Sequence, residues 1–438
     1  MMKRLPIAML VLSLAGTVNA QDIDKIISKP YVDGLIKTLS ADDMQGRGVY
    51  TPGIDKAATF IEKQFKKIGL KPLSGAKGFR QSFPVFRMKP LSATVKLNNK
   101  DVAPENILIS GSSAAETNFD QANSDGFTRL NPAQPLQAQL RTLSRARKRQ
   151  IVLVDQKFAE DFRKMKAAPS RGTIVDENTL KDSKAPALVL VLSPDTVASS
   201  FSVAIKNSSE QLPLFNVAGM IPGKSKAKEI VIFSGHYDHL GIIKPVGQDS
   251  IANGADDDAS GTTAVIALAK YYKKLKNNER TLIFVAFTAE ESGGFGARHF
   301  SNKLNPDEVV AMFNIEMIGK DSKFGPNTAY ITGFDRSDFG KILQKNLEGT
   351  PFMFHPDPYP SQNLFYRSDN ATLAALGVPA HSISTVQIDG DKLYHTVKDE
   401  YESLDAENIL ATIKGIAKSA ISIVKGIDTP TRIPKLVR

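Results

Sequence analysis

Residues 32 to 69 carry a helical repeat of apolar side chains. The clearest part of the repeat consists of Ile54, Ala57, Ala58, Ile61, Phe65 and Ile68. Spacings of three and four place these side chains on one face of a helix. Gly69 follows directly, and glycine is typical of the position just after a helix. The pattern predicts a packed helix that stops at Gly69.

From Ile230 onward, short apolar runs alternate with helical segments. The predicted strands are residues 230–233, 281–287 and 310–315. Helices are predicted between them, starting near Ala259 and near Gly293. Alternation of this kind is typical of a parallel sheet covered by helices. We therefore predict an α/β fold with a mostly parallel (mixed) central sheet and helices on both faces.

The stretch from about residue 90 to 212 has a different pattern. Short β-like runs, at residues 151–154 and 187–192, lie among Ser, Asn, Lys and Pro, and histidine is absent. We predict a smaller, β-rich inserted domain over 90–212. It would divide the larger domain into residues 21–89 and 213–438.

The first twenty residues have the pattern of a signal peptide. Lys3 and Arg4 precede a largely apolar run, and small residues around Ala20 suit a signal peptidase. The run is shorter than the roughly 20 residues that a membrane-spanning helix needs. We predict export, to the periplasm or the medium, with no stable membrane insertion after cleavage.

Composition narrows the chemistry further. The 438 residues include no cysteine, so neither a disulfide nor a thiol nucleophile is available. The formal net charge is +10, but the basic residues are spread along the chain and form no nucleic-acid-binding motif. We therefore expect no nucleic-acid partner. Oligomeric state has no readable signal in the sequence.

Polar residues follow each of the predicted strands from 230 onward. His236 comes shortly after the first strand, Glu290 and Glu291 follow the second, and Glu316 follows the third. Open α/β sheets bind ligands at the carboxyl ends of their strands. All six histidines also lie between residues 236 and 395. These polar side chains are therefore predicted to converge in one cleft.

Two acidic stretches each allow two interpretations. Asp256, Asp257 and Asp258 could cap the following helix, but with histidines and acids at neighbouring strand ends, a carboxylate that bridges two metals is the better account. Glu290 and Glu291 could be exposed acids at a helix start. Alternatively, one of them binds metal while the other moves a proton. The residues alone leave this second choice open.

Taken together, these stretches resemble the co-catalytic zinc aminopeptidases, whose relatives include glutamate carboxypeptidases, glutaminyl cyclases and the transferrin receptor ectodomain. The resemblance covers roughly residues 22–85 and 212–427 and includes Gly46-Arg47-Gly48. Residues 90–212 are weakly similar to a protease-associated insert. Five ordered motifs carry the resemblance: Gly235-His236-Tyr237-Asp238, Gly254 to Gly261, Ala289-Glu290-Glu291, Asn314-Ile315-Glu316-Met317 and Tyr394-His395-Thr396.

The resemblance implies a centre of two Zn²⁺ ions, with other divalent metals as an option. His236 and Glu316 would hold one ion, and Glu291 and His395 the other. Asp257 would bridge both ions, because the bridging acid of the family stands three residues before the Ser of the Asp-x-x-Ser-Gly stretch.

The resemblance also implies the catalytic roles. Glu290 would be the general base. Asp238 would orient His236 by accepting its other ring proton.

The chain departs from the common pattern of the family at two positions. Glu316 stands where many members have Asp, and Asn370 stands where relatives often have His. Outside the motifs, His239 is interpreted as an outer-sphere or pocket-wall residue rather than a ligand. His381 is interpreted as a buried core histidine.

The expected activity is hydrolysis of N-terminal residues from peptides, by water activated between the two metals. Three alternatives remain open: a carboxypeptidase of the same fold, a glutaminyl cyclase that uses one zinc, and a non-catalytic binding protein. The side chain preferred at the cleavage point cannot be read from the sequence.

Overall fold

The structure is a computed structural model that describes residues 21–168, 172–182 and 184–436. The predicted signal peptide, residues 1–20, lies outside these ranges. The described helices are α1 (Gln21–Ile26), α2 (Lys29–Leu39), α3 (Pro52–Ile68), α4 (Leu136–Arg145), α5 (Ala159–Ala167), α6 (Glu177–Lys181), α7 (Gly261–Leu275), α8 (Phe295–Ser301), α9 (Phe339–Asn346), α10 (Asn370–Ala375), α11 (Ala406–Ser419) and α12 (Ile421–Val424). In the described part of the chain, no helix combines the length and the apolar character needed to cross a membrane.

The described strands belong to one large sheet, one small sheet and a separate two-stranded ribbon. They are β1 (Arg80–Leu97), β2 (Lys100–Asp101), β3 (Ile107–Ser112), β4 (Glu116–Asp120), β5 (Phe127–Arg129), β6 (Arg149–Val154), β7 (Thr173–Val175), β8 (Ala187–Leu192), β9 (Phe201–Ile221), β10 (Lys226–His236), β11 (Gly241–Val246), β12 (Asp249–Ala252), β13 (Arg280–Phe287), β14 (Val309–Ile315), β15 (Thr328–Ile331), β16 (Met353–Pro356) and β17 (Ala380–Ser384). The large sheet has the order β16-β15-β17-β14-β10-β13-β9-β1-β2, with β4 added to β9 and β7 added to β1.

The centre of the large sheet is parallel and its flanks are antiparallel. Strands β17, β14, β10 and β13 run in one direction, whereas β9 pairs antiparallel with β13 and β15 pairs antiparallel with β17. The predicted α/β fold with a mixed central sheet is therefore confirmed. The three strands predicted from apolar runs are β10, β13 and β14, three neighbours at the centre.

Alternation along each central strand gives the sheet two buried faces. In β10, Val231 and Phe233 belong to one apolar cluster, together with residues of α2, α3, α7 and α11. Ile232 points to the opposite face, where it packs in a cluster with residues of α8 and α10. Successive side chains of a strand point to opposite faces, so a strand covered on both sides is continuously apolar.

Helix α3 confirms the helix predicted to stop at Gly69, but the repeat that begins at residue 32 is divided between α2 and α3. Its buried face includes Ile54, Ile61 and Phe65. Gly69 ends the helix at φ 84°, and its N–H donates to the carbonyl oxygens of Phe65 and Lys66. A left-handed residue at this position is favourable for glycine because it has no Cβ.

A small sheet lies within the predicted insert, with the strand order β3-β8-β6-β5. The two long strands β1 and β9 pair antiparallel along almost their whole length, from Arg80–Val217 to Leu97–Phe201. Both strands continue through the predicted boundaries near residues 90 and 212, with a register shift between Pro90 and Ser92. The division into domains stays a prediction.

Candidate metal centre

The carboxyl ends of β10, β13 and β14 bring the predicted site residues together. In the parallel ladder His236 lies beside Phe287, and Ser234 lies beside Asn314. The residues that follow β13 and β14 therefore emerge at the same sheet edge as His236. Five of the predicted residues meet there: His236, Asp257, Glu291, Glu316 and His395.

One group of three potential ligands forms around the His236 ring. Its Nε2 lies 3.1 Å from Asp257 Oδ1 and 3.3 Å from Glu316 Oε1. The second oxygen of Glu316 accepts a hydrogen bond of 2.7 Å from Ser368 Oγ. One oxygen of Glu316 thus reaches His236, and the other is held by Ser368.

A second group forms around Glu291. Its Oε1 lies 3.0 Å from His395 Nε2, and the same nitrogen lies 3.2 Å from Asp257 Oδ2. Asp257 therefore offers one oxygen to each group, which is the arrangement required of a bridging carboxylate. His239 also joins this group, with Nδ1 2.9 Å from Glu291 Oε1. That position differs from the pocket-wall role favoured by the sequence.

The three consecutive aspartates have separate tasks. Asp258 accepts hydrogen bonds from the backbone N–H groups of His236, Gly261 and Met317. Asp256 accepts from the N–H of Gly319 and lies 3.4 Å from the ammonium of Lys320. Only Asp257 directs its carboxylate at the imidazoles.

Asp238 does not support His236 in the predicted way. The Nδ1 atom of His236 lies 3.0 Å from the main-chain carbonyl oxygen of Asp238, whereas the Asp238 carboxylate oxygen is 3.8 Å away. That carboxylate instead accepts a hydrogen bond of 3.1 Å from the N–H of Glu290. The ring of His236 is therefore oriented by the backbone, and the Asp238 side chain fixes the loop that carries Glu290.

Three non-glycine residues at the site have left-handed backbone conformations. They are Ala289 (φ 58°), Met317 (φ 50°) and His395 (φ 59°). Each costs on the order of 1 kcal/mol and persists only where the surroundings impose it. Ala289 precedes Glu290 and Met317 follows Glu316, so the strain lies at the residues that set the direction of the site side chains.

The charges of the two groups depend on one another. Burial opposes protonation of His395, but the adjacent carboxylates of Asp257 and Glu291 raise its pKa to about 9. Asp257 is buried too, which works against its charge, yet its contacts with His236 and His395 lower its pKa well below the usual range. Such imidazole–carboxylate sets hold positive charge strongly, as protons or as a metal ion.

Several buried atoms at the site have no hydrogen-bond partner among the described residues. They include Nδ1 and Nε2 of His239, Oε1 of Glu291 and Nε2 of His395. Native proteins rarely leave such atoms unpaired. Imidazole nitrogens and carboxylate oxygens are also the ligands that Zn²⁺ takes in proteins without cysteine. The side chains present therefore fit two divalent ions.

Glu290 lies at the boundary between the metal-binding groups and a cavity. Burial, together with the carboxylates of Glu316, Asp369 and Glu291, raises the pKa of Glu290 well above its usual range. The cavity is also lined by Glu316 and Asp257 at one end. Its apolar wall consists of Met317, Tyr330, Leu364, Val386 and Ile388.

Asn370, the second departure from the family pattern, is a structural residue here. Its amide nitrogen donates to the carbonyl oxygens of Phe365 and Ala380, and its Oδ1 accepts from Ser382 Oγ. Ser382 lines the cavity, whereas Asn370 is not among the lining residues. Asn370 thus binds Ser382, which is a residue of the cavity wall.

The other histidines lie outside the centre. His381 is buried, with Nδ1 2.8 Å from the carbonyl oxygen of Thr332 and Nε2 2.9 Å from Ser337 Oγ. Its interpretation as a core histidine is confirmed. His299 stacks on Phe83, and His355 stacks on Phe324.

Comparison with known proteins places this site in a family context. Residues 216–420 match peptidase family M28. Similar curated proteins include a probable leucine aminopeptidase of Arthroderma otae, 26% identical over 222 residues (48% of this chain, 57% of the relative), and leucine aminopeptidase 1 of Ajellomyces capsulatus, 25% identical over 214 residues (46% and 54%). This chain spans about half the length of these curated relatives.

Two solved structures share the fold over most of the chain. One is an aminopeptidase from Aneurinibacillus sp. strain AM-1, with a TM-score of 0.52 and 21% identity, covering 95% of this chain and 97% of that one. The other is a zinc aminopeptidase from Bacillus subtilis, with a TM-score of 0.55 and 17% identity, covering 91% and 95%. At these low sequence identities, the similarity shows that the fold is shared and nothing more.

Proposed function

We propose, from the match of residues 216–420 to peptidase family M28 and from the five motifs, that the chain is a zinc-dependent aminopeptidase. One observation carries the proposal. Two groups of metal-binding side chains share Asp257, and beside them Glu290 lines a partly apolar cavity. A metal pair, a proton acceptor and a space for a side chain are the parts that such a hydrolase needs.

We assign the metal-binding roles as follows. His236 and Glu316 would hold one ion, Glu291 and His395 the other, and Asp257 both. When bound, a pair of zinc ions supplies Lewis acidity, which polarises a carbonyl oxygen and lowers the pKa of water. The Asp238 carbonyl engages Nδ1 of His236, so Nε2, which faces Asp257 and Glu316, would be the atom that binds the metal.

Glu290 moves the proton in this proposal. A carboxylate oxygen of Glu290 takes a proton from the attacking water and then delivers it to the nitrogen of the leaving amine, so that the peptide C–N bond breaks to an acid and an amine. Its position in the cavity lining, next to Glu316 and Asp257, supports the role. Its main chain is held by the Asp238 carboxylate, which keeps the shuttle in place.

The cavity would receive the side chain of the N-terminal residue. Its wall of Met317, Tyr330, Leu364, Val386 and Ile388 favours an apolar side chain, as the leucine aminopeptidases among the relatives suggest. The substrate amine would lie at the acidic end, beside Glu290 and Glu316. Export of the protein and the presence of two ions stay predictions.

The test compares one leucyl peptide in three forms: unmodified, acetylated at its amino end, and amidated at its carboxyl end. We expect release of leucine from the free and the amidated forms only. A chelator should abolish this activity and added Zn²⁺ should restore it.

Other results would contradict the proposal in distinguishable ways. Cleavage of the acetylated form from its carboxyl end would indicate a carboxypeptidase. A single zinc per chain with cyclisation of N-terminal glutamine would indicate a cyclase. Tight peptide binding without turnover in the zinc-loaded protein would indicate a binding protein.

A further inference from the structure

We propose that His239 is a direct metal ligand, so that the ion bound by Asp257, Glu291 and His395 has four protein ligands while its neighbour has three. This inference rests on the two-metal centre of the proposed function. It adds a ligand to the five that the family resemblance implies. His239 lies three residues after His236, in the loop that follows β10.

The distances between the donor atoms carry the proposal. His239 Nδ1 lies 2.9 Å from Glu291 Oε1 and 3.7 Å from Asp257 Oδ2. His395 Nε2 lies 3.0 Å and 3.2 Å from the same two oxygens. With metal–ligand bonds of about 2.0–2.2 Å, ligands at neighbouring corners of a tetrahedron lie about 3.3–3.6 Å apart. Each of the two histidine nitrogens is therefore close enough to both oxygens to share an ion with them.

The surroundings of His239 do not offer another partner. The side chain is buried, with 2% of the residue exposed, and neither ring nitrogen has a hydrogen-bond partner among the described residues. Glu291 Oε1 is likewise unpaired despite its short distance from Nδ1, because the two atoms are not aligned for a hydrogen bond. Two buried ligand atoms that lie this close without a hydrogen bond are accounted for by an ion that both of them contact.

The position of the ring is fixed before any ion arrives. The N–H of His239 donates to the carbonyl oxygen of Arg47. The ring also packs directly on Gly254, where an added Cβ would lie 2.5 Å from Cγ of His239. The backbone of Gly254 therefore limits the movement of the ring.

A fourth ligand makes the two metal positions unequal. The His236 position has one imidazole and two carboxylates, whereas the His239 position has two imidazoles and two carboxylates. We expect the His239 position to fill first and to release its ion last. The Zn²⁺ ion is borderline soft and binds imidazole well, which adds to this order.

The experiment uses the full mature protein loaded with Co²⁺ alone. Each imidazole bound to this paramagnetic ion keeps one N–H proton, whose NMR signal is strongly shifted. Fully loaded wild-type protein should show three such signals, from His236, His239 and His395. Two signals would overturn the proposal, and this count does not depend on any variant.

A variant then separates a ligand from a hydrogen-bond donor. In His239→Gln the amide can still donate to Glu291 but is a poor metal ligand. We expect two shifted signals, one ion held as before, and the other held at least about 100-fold more weakly, since even outer-sphere losses cost about 10–100-fold. Unchanged affinity for both ions would contradict the proposal. His355→Gln, on the surface beside Phe324, is the matched control and should keep three signals.

The same measurements distinguish a failure of the proposed aminopeptidase function from a failure of the ligand assignment. Three signals without any peptidase activity would refute the proposed function and support the ligand. Peptidase activity with only two signals would support the proposed function and refute the role of His239 as a ligand. Absence of Co²⁺ binding by the wild-type protein would refute both.

Discussion

Replacement of Arg47 should show how much of the metal centre is held by the N-terminal segment. Arg47 is completely buried and belongs to the segment that precedes α3. Its guanidinium donates only to main-chain carbonyl oxygens. The acceptors are Leu39 (2.8 Å), Tyr237 (2.8 Å), Asn253 (2.5 Å), Gly254 (2.8 Å) and Asp257 (3.4 Å). It thereby ties the loop after β10 to the loop that carries the bridging aspartate.

The expected loss of stability follows from these five bonds. A hydrogen bond to a charged group contributes about 1.5–3 kcal/mol, but such contributions do not add, and water can enter the space left behind. Removal of one member of a buried charged network typically costs about 3–5 kcal/mol. We therefore expect Arg47→Met to lower the free energy of unfolding by about 4 kcal/mol. Arg47→Lys keeps the charge and at most three donors, so it should cost about half as much.

The assay is urea unfolding in chelator, so that metal binding does not contribute to the measured stability. Arg432→Met is the control, because Arg432 is 40% exposed and donates to one carbonyl oxygen, that of Val309. The Arg432→Met substitution should lower the free energy of unfolding by less than about 1 kcal/mol. The reasoning would be refuted if the free energy of unfolding of Arg47→Met lay within about 1 kcal/mol of the wild-type value. It would also be refuted if Arg47→Met and Arg47→Lys lowered the free energy of unfolding equally.

Three further predictions concern separate parts of the protein. Glu290→Gln should retain both ions by metal analysis yet lose about 10²–10⁴-fold in kcat, and unaltered turnover would contradict its role as the base. Lys320→Met should destabilise the protein by about 2 kcal/mol in thermal unfolding, because it leaves Asp391 (2.7 Å from Nζ) without its cation; an unchanged midpoint would count against this pairing. His381 has its pKa lowered from 6.5 to about 4 by burial, so the unfolded chain binds a proton that the folded chain does not, and stability falls as the pH falls from 6.5 toward 4. Wild type should therefore lose about 2 kcal/mol more than His381→Asn between about pH 7.5 and about pH 5, and parallel pH profiles in urea would disprove it.

The backbone scaffold of the site could be predicted because its physical signals are local. Uninterrupted apolar runs mark the central strands, since these are covered on both faces. The rule that ligands bind at the carboxyl ends of such strands then predicts where His236, Glu291 and Glu316 meet. Gly69 ended α3 as expected, because a left-handed turn after a helix has a specific residue requirement.

Atom-level roles could not be predicted, because spacing along the chain does not determine which atom of a residue faces a neighbour. The side chain expected to orient His236 was the Asp238 carboxylate, but the loop turns so that the main-chain carbonyl does so. His239 was expected to be an outer-sphere or pocket-wall residue, yet the same loop places its ring next to Glu291. Both outcomes depend on backbone torsions set by long-range contacts, such as the bond from His239 N–H to Arg47.

The boundaries of the predicted insert also depend on long-range strand pairing. A change of composition near residues 90 and 212 suggested two boundaries, but β1 and β9 continue through them as one antiparallel ladder. Strand β7 adds to β1 beside Phe86 and Met88, and the next residue, Asp176, lies 3.6 Å from Arg298 in α8. Helix α8 begins four residues after Glu291. The insert is therefore joined to the rest of the chain by a continuous sheet and by an ion pair to helix α8.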